Sequence, residues 1–178
     1  ISGDLDTTFT QSTGFNSTVN ALAVSGSSLY VGGQFAAYKG VAAQRLAKLD
    51  LTTGNIDTTF TRSLGFNSTV SALAVSGSSL YVGGAFTSYK GVAAQSLAKL
   101  DLTTGNLDTT FTQSTGFNST VIALAVSGSS LYIGGGFSSY RGADSINLAK
   151  ADLISGDLDT TFTQSTGFNS TVNALAVS

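Results

Sequence analysis

The sequence predicts an all-β protein built from tandem four-stranded antiparallel blades of a β-propeller. Three observations predict this class. The chain repeats every 51 residues, so that Asp6–Thr10 returns as Asp57–Thr61, Asp108–Thr112 and Asp159–Thr163. Each period contains four short apolar segments separated by turn residues, which is typical of a propeller blade. No apolar segment keeps the 3.6-residue period of a helix for as long as a helix requires.

The first repeat sets the order of the four predicted strands. They are A (19–24), B (29–35), C (46–51) and D (56–61), and the later repeats shift them by one period. Ser25–Ser28 forms the turn between A and B, because Gly26 can adopt the positive φ that a tight hairpin needs. Gly32 and Gly33 inside strand B predict a bulge or a close backbone approach.

The period also predicts how the chain divides into blades. The units are a leading D strand with its D–A loop (1–18), blades at 19–61, 70–112 and 121–163, and a trailing A strand (172–178). One such unit is too small to bury both of its faces and must pack on its neighbours. Propellers have more than three blades. We therefore expect a fragment of a larger protein, with self-association of chains into a ring or filament as the alternative.

A continuous β-solenoid is the alternative fold. Four strands per repeat could wind into coils that are joined by parallel ladders, whereas a blade requires antiparallel hairpins between A and B and between C and D. The orientation of these strand pairs separates the two folds.

Composition excludes several classes of partner. Charged residues make up 10% of the chain and the net charge is -2, without any run of Lys or Arg. Nucleic acids and anionic membranes both require a clustered basic surface, so we expect neither as a partner. No apolar run is long enough to span a membrane, and no membrane insertion is expected. The absence of Cys and Met, with abundant Ser, Thr, Gly and Asn, favours an extracellular or cell-surface location.

The residue types also argue against catalysis. His, Cys and Glu are all absent. The chain therefore lacks the usual general base near neutral pH, a thiol nucleophile and a His-containing metal site. We expect no enzymatic activity and no cofactor.

The aspartates allow two interpretations. Asp4 and Asp6, like Asp157 and Asp159, place carboxylates two residues apart, which could supply oxygens to Ca²⁺. The spaced acidic pattern of a calcium loop is missing, which favours turn-capping aspartates and no metal. Asp50 is expected to pair with Lys48, two residues before it on the same strand.

Several motifs recur in every repeat. In the first they are Leu5–Phe9, Gly14–Asn16, Ala21–Val24, Val31–Phe35 with Tyr38 and Gly40, and Leu46–Leu51. These motifs resemble the delta-60 repeat family of bacterial and phage β-propeller-like proteins. The turns at Ser25–Ser28 and Thr52–Asn55 depart from the family pattern, but both are competent turn sequences. The resemblance implies large secreted or surface propellers, or tail-associated phage proteins, mostly without a defined activity.

The B–C and D–A loops are the predicted binding surface. The repeats differ most there, and variable loops at one end of a scaffold commonly carry function. A tyrosine followed by a cation recurs in the B–C loop and could stack on a sugar ring. The candidate ligand contacts are Tyr38, Lys39, Tyr89, Lys90, Tyr140 and Arg141. The alternative is that each tyrosine packs across the base of its loop and that its hydroxyl is solvated.

The D–A loop has two further recurring features. Its phenylalanines, Phe15, Phe66, Phe117 and Phe168, are expected to fill the space between blades rather than to contact a ligand. Asn16-Ser17-Thr18 fits the N-glycosylation acceptor pattern, which would mark an exposed loop in a eukaryotic secreted protein.

These observations predict a non-catalytic extracellular repeat protein. Its expected role is adhesion or surface display, with binding through the B–C/D–A loop face and a glycan or another cell-surface ligand as the partner. The alternative is a purely structural array that forms part of a fibre, sheath or appendage.

Overall fold

A computed structural model describes residues 6–7, 9, 13–60, 64–112, 115–162 and 167–177 of the chain. Within these ranges the regular structure is entirely β, and every pair of strands is antiparallel. The first repeat contains β1 (Val19–Ser25), β2 (Ser28–Gly33), β3 (Ala37–Tyr38), β4 (Val41–Ala42) and β5 (Leu46–Asp50). The second contains β6 (Val70–Ser76), β7 (Ser79–Gly84), β8 (Ser88–Tyr89), β9 (Val92–Ala93) and β10 (Leu97–Asp101). The third contains β11 (Val121–Ser127), β12 (Ser130–Gly135), β13 (Ser139–Tyr140), β14 (Ala143–Asp144) and β15 (Leu148–Asp152).

Each repeat forms one blade around a three-stranded sheet. The strand orders are β1-β2-β5 in blade 1, β6-β7-β10 in blade 2 and β11-β12-β15 in blade 3. Gly26 has a φ of 56° in the turn that joins β1 to β2, as the turn sequence predicts. The register of β1 shifts between Val19 and Ala21, opposite Gly32 and Gly33, which confirms the predicted bulge. These antiparallel hairpins confirm strands A, B and C and rule out the β-solenoid.

The predicted fourth strand is shorter than the sequence indicated. Each D segment makes a single antiparallel bridge to strand C: Ile56 to Leu49, Leu107 to Leu100 and Leu158 to Ala151. The next residue is an aspartate whose carboxylate accepts backbone N–H groups and turns the chain. Asp57, for example, accepts from the N–H groups of Thr59 (3.0 Å) and Phe60 (3.1 Å). The predicted last residues of two D strands, Thr61 and Thr163, lie outside the described residues.

Of the two terminal segments, the trailing one differs from the prediction. The trailing A strand predicted at 172–178 packs against blade 3, and the Val172 N–H donates to the Gly135 carbonyl at 3.2 Å. Residues 171–177 nevertheless form no strand, because an A strand is held by a following B strand and the described residues contain none for it. Of the leading segment 1–18, residues 1–5, 8 and 10–12 lie outside the described part of the chain.

The two sides of each sheet face different neighbours, because successive side chains of a strand point to opposite sides. We call the side toward the next blade the forward face; in blade 1 it carries Ala21, Ala23, Tyr30, Gly32, Leu46 and Lys48. We call the opposite side the rear face; in blade 1 it carries Leu22, Val24, Leu29, Val31, Ala47 and Leu49.

The hydrophobic core lies mainly between blades. Tyr30 and Leu46 on the forward face of blade 1 share one cluster with Val70, Leu80 and Val82 of blade 2. Tyr81 and Leu97 of blade 2 join Val121, Leu131 and Ile133 of blade 3 in the same way. The blades are therefore stabilised by contact with one another, as expected for a repeat array.

Two close contacts recur at both interfaces between blades. Gly32 packs on Val70 and Gly83 packs on Val121 so tightly that a Cβ at either glycine would overlap the valine. The buried Tyr30 hydroxyl donates to the Leu102 carbonyl at 2.8 Å, and the Tyr81 hydroxyl donates to the Leu153 carbonyl at 2.7 Å. A glycine and a tyrosine on each forward face thus fix the position of the next blade.

Candidate functional site

The B–C connection, predicted as a simple loop, contains a short hairpin. In blade 1 this hairpin is formed by β3 and β4, and Phe15 of the D–A loop bridges Tyr38 on its other side. The Lys39 N–H donates to the Gly14 carbonyl at 3.0 Å. The two loops that the sequence placed at the same end of the blade are therefore joined by backbone hydrogen bonds.

The hairpin folds back over the rear face of its blade. Phe35 and Tyr38 are buried in one cluster with Val31, Ala47 and Leu49. The Tyr38 hydroxyl donates to the Gly54 carbonyl (3.0 Å), which lies in the turn after β5. Tyr89 and Tyr140 make the same contact with Gly105 and Gly156, each at 2.9 Å. Each tyrosine thus connects the B–C hairpin to the C–D turn of the same blade.

The candidate tyrosines are therefore core residues in this structure. Tyr38, Tyr89 and Tyr140 are only 5%, 2% and 2% exposed. Burial raises the pKa of Tyr89 well above its usual range and that of Tyr140 to about 12, so both hydroxyls remain neutral donors. This geometry matches the packing alternative for the rings, but the hydroxyl is bonded to a carbonyl rather than solvated. Stacking of a sugar on these rings stays a prediction, and it would require the hairpin to open.

The neighbouring cations also donate to backbone carbonyls. Lys39 Nζ donates to the Phe9 carbonyl at 3.4 Å, Lys90 Nζ donates to the Gly105 carbonyl at 3.1 Å, and the Arg141 guanidinium donates to the Phe111 carbonyl. Each cation also lies about 5 Å from the ring of the tyrosine before it. Lys39, Lys90 and Arg141 have positive φ of 46°, 48° and 49°, which the tight turn imposes.

The asparagine of each Asn-Ser-Thr motif holds the hairpin in place. Asn67 Oδ1 accepts the backbone N–H groups of Thr87 (2.9 Å) and Ser88 (3.1 Å), and its Nδ2 donates to the Thr87 hydroxyl at 2.8 Å. Asn16 and Asn118 accept the equivalent N–H groups in blades 1 and 3. These side chains are used for structure, which the glycosylation pattern alone did not indicate.

The phenylalanines of the D–A loop behave as predicted where two blades meet. Phe66 and Phe117 are fully buried, and each ring centroid lies 4.2 Å from that of the phenylalanine two residues after strand B, Phe86 or Phe137. Phe168, in the trailing loop, is exposed. The tilted ring pair packs at the start of the hairpin.

Variable side chains lie on the surface of this scaffold. The position before the buried phenylalanine is Gln34, Ala85 or Gly136, and it is exposed in all three blades. The position after it is Ala36, Thr87 or Ser138, also exposed. The hairpin thus combines buried residues that are the same in every repeat with exposed residues that differ.

The opposite end of the blade carries the charged residues. Asp50 does not pair with Lys48 as the sequence predicted; its Oδ1 accepts the N–H groups of Thr52 (3.0 Å) and Thr53 (2.8 Å). Lys48 instead lies 3.2 Å from Asp57 on the adjacent D segment. The same pairs recur as Lys99–Asp108 and Lys150–Asp159. Lys48 and Asp50 lie on the same side of β5 but two residues apart, which separates them by about 6–7 Å along the strand. The Asp57 N–H instead donates to the Lys48 carbonyl at 2.8 Å, which brings Asp57 directly alongside Lys48.

These contacts set the ionisation of the aspartates. Partial burial alone would raise the pKa of Asp57, but the Thr59 hydroxyl, the Phe60 N–H and Lys48 lower it to about 2. The backbone and hydroxyl of Thr53 lower the pKa of Asp50. Asp159 accepts the N–H groups of Thr161 and Phe162, which confirms the turn-capping interpretation for this residue, and Asp50 and Asp57 cap turns in the same way. Within the described residues no three His, Cys, Asp or Glu side chains cluster as metal ligands.

A shallow polar groove lies beside this end of blades 1 and 2. In blade 2 it has a volume of about 340 Å³ and is lined by Ser78, Ser79, Lys99, Asp101, Asn106 and Asp108, with Leu100 and Leu107. The sequence gives no sign of this surface, because its residues come from two separate turns. Within it Lys99 pairs with Asp108, and Asp101 accepts the N–H groups of Thr103 and Thr104 in the C–D turn.

The comparisons with known proteins agree with the fold. A family model described as "Domain of unknown function (DUF5122) beta-propeller" matches residues 28–60, 79–111 and 130–162, which together make up more than half of the chain. The chain belongs to this family. The matched segments begin at strand B of each blade and end at the phenylalanine of the D turn, so every blade contributes one match. The delta-60 resemblance stays a prediction.

Two solved structures share the architecture. The crystal structure of the computationally designed Ika4 protein aligns over 93% of this chain and 82% of its own, with 21% identity and a TM-score of 0.62. That of the computationally designed Ika8 protein aligns over 91% of this chain but 41% of its own, with 20% identity and a TM-score of 0.60. At these identities the similarity concerns the fold alone. No curated protein matches the chain.

The part of the chain that the structure describes contains no helix with the length and apolar character required to cross a bilayer.

Proposed function

We propose that this protein is a non-catalytic binding module that acts outside the cell or at its surface, in adhesion or display. The observation that supports this proposal is the B–C hairpin. Its buried phenylalanine and tyrosine and its hydrogen-bonded asparagine are the same in each repeat, whereas the exposed positions beside the phenylalanine vary. A rigid support that presents variable side chains is the arrangement found in many binding loops.

Repetition would strengthen such binding. Three equivalent hairpins present three related surfaces at fixed spacing, so a repetitive ligand could engage several at once and gain avidity without any new contact. Cell-surface glycans are repetitive ligands of this kind. The lack of Cys and Met agrees with an oxidising extracellular environment.

A glycan array with immobilised chain tests the proposal. Two substitutions at the loop face, Gln34→Arg and Ala85→Arg, replace exposed side chains and leave the buried clamps intact. The matched control places arginines at the other end of the same blades, at the exposed Thr52 and Thr103. We expect saturable binding that the first pair abolishes and the control retains. Absence of any bound glycan, or equal loss in both pairs, would contradict the proposal.

A structural array is the second candidate function. It is favoured by the interfaces between blades, which repeat the same contacts, and by the exposed Leu22 and Val24 on blade 1. Under this proposal the chain lengthens a fibre or appendage, either within a longer protein or by association of copies. Filaments seen by electron microscopy, together with no glycan binding, would favour it over the binding module.

A further inference from the structure

We propose that the rear face of blade 1 docks on the forward face of blade 3 in a second copy of this chain. The B–C hairpin covers Val31, Ala47 and Leu49 of this rear face, but the strand A side of it is left uncovered by the described residues. Leu22 and Val24 are 60% and 59% exposed. The equivalent residues in blades 2 and 3, Leu73 with Val75 and Leu124 with Val126, pack against the clusters between blades.

The chain itself shows what covers a rear face. Each covered rear face lies against the forward face of the preceding blade, with the glycine of strand B on the valine of strand A. The rear faces of blades 1, 2 and 3 are nearly identical in sequence, since strand A reads VNALAVS, VSALAVS and VIALAVS. A forward face of this repeat therefore fits blade 1 as it fits the others.

Blade 3 offers the complementary surface. Its forward face carries Gly134 and Tyr132, the counterparts of Gly83 and Tyr81. Within the described residues it is covered only by 171–177, with Val172 placed over Gly134 as Val121 is over Gly83. This cover is incomplete, because a cavity of about 400 Å³ lies between the segment and the blade, lined by Ser127, Tyr132, Leu148, Leu175, Ala176 and Val177.

The occupant of that surface is identified by sequence identity. Residues 172–177 and 19–24 are the same six residues, VNALAV. In a second copy, 19–24 belongs to a complete sheet that also carries β2 and β5. If blade 1 of a second copy replaced the trailing segment on blade 3, its strand A valine would keep the contact with Gly134, and its sheet would fill the cavity. It would also give the Tyr132 hydroxyl an acceptor, the carbonyl of Leu51, which is the counterpart of the Leu102 carbonyl that Tyr30 uses.

The two identical segments give an unusual matched pair of variants. Leu22→Asp places a charge on the docking face, whereas Leu175→Asp places the same charge on the competing segment. We expect Leu22→Asp to weaken association about tenfold or more. Leu175→Asp should strengthen association, because it loosens the segment that blocks blade 3. Leu64→Asp is the control, since Leu64 is 61% exposed but lies in the D–A loop, away from the proposed interface.

Light scattering coupled to size exclusion, across a range of concentrations, measures the outcome. We expect a mass of at least twice the chain mass of 18.0 kDa. Leu22→Asp should reduce this mass, and Leu175→Asp should increase it. A single larger mass would indicate a closed ring, and a mass that grows with concentration an open filament; both support head-to-tail docking. A mass of 18.0 kDa at every concentration for the parent and Leu175→Asp would overturn the proposal. Equal effects of Leu22→Asp and Leu64→Asp on the measured mass would also overturn the proposal. Glycan binding by the monomer is measured separately and does not depend on this result.

Discussion

Replacing Gly83 by alanine tests the contact that sets the spacing between blades 2 and 3. A Cβ at this position would lie 2.5 Å from Val121 Cγ1 and 3.2 Å from Val121 Cβ. Apolar carbons normally pack at about 3.5–4.0 Å, so the first contact is too short by at least 1 Å. Val121 is fully buried, and its branched side chain has few alternative rotamers. The blades must therefore separate, and we expect a loss of about 1–3 kcal/mol in the free energy of unfolding.

A double-mutant cycle isolates this contact from other effects. Val121→Ala removes Cγ1 and should destabilise the chain by about 2 kcal/mol through lost burial. In the double variant the new methyl group has room, so the combined loss should be smaller than the sum by about 1–2 kcal/mol. Gly14→Ala is the control, because a Cβ there would meet nothing within 4 Å.

Equilibrium unfolding in urea, followed by far-ultraviolet circular dichroism, gives the four free energies of the cycle. We expect Gly14→Ala to change the stability by no more than about 0.5 kcal/mol. The reasoning is refuted if Gly83→Ala is as mild as Gly14→Ala. It is also refuted if Gly83→Ala and Val121→Ala add without coupling, since then the two residues do not press on each other.

Three further predictions concern individual hydrogen bonds and charges. Tyr81→Phe leaves the buried Leu153 carbonyl without its donor and should lower the free energy of unfolding in urea by about 1–3 kcal/mol. Tyr132→Phe, measured in dilute solution, should leave the free energy of unfolding nearly unchanged. Equal effects of the two variants would contradict the role of the hydrogen bond between blades. The pKa of Asp57 is lowered to about 2, so the ionised carboxylate stabilises the fold fully above about pH 4, and this stabilisation is lost as the pH falls toward 2. The melting temperature should therefore drop between about pH 4 and pH 2, and it should drop less steeply in Asp57→Asn. Identical slopes for the two proteins would refute this prediction. Asn67→Ala should expose the hairpin amides of blade 2 to faster hydrogen exchange, unlike Asn169→Ala in the trailing loop, and unchanged exchange would rule out the clamp.

Much of the blade could be predicted because its signals are local. Strands A, B and C are continuous apolar segments, and Gly26 marks the turn between the first two. The D strand was predicted too long because Ile56–Thr61 has high strand propensity, while the Asp57 carboxylate caps a turn and ends pairing after one bridge. Strand propensity alone does not show that the capping turn at Asp57 prevails over continued strand pairing.

The candidate site was harder to predict because its contacts are distant in sequence. A tyrosine followed by a cation reads as an exposed pair, yet Tyr38 reaches Gly54 and Lys39 reaches Phe9 across the fold-back of the hairpin. The Asn clamp was missed for the same reason, since Asn67 and Thr87 lie 20 residues apart. One signal was available: Asn, Phe and Tyr stay constant while their neighbours vary, which is more typical of supporting residues than of ligand contacts.

Nuclear Overhauser effects between Val121 and Gly83 measure the packing of consecutive blades most directly. With valine methyl groups labelled and the Val121 signals assigned by their loss in Val121→Ala, we expect strong effects to the Gly83 α protons. Val70 should give the same effects to Gly32, because both interfaces repeat one contact. Effects within each sheet but none between these pairs would contradict the central claim that the repeats are blades packed face to face.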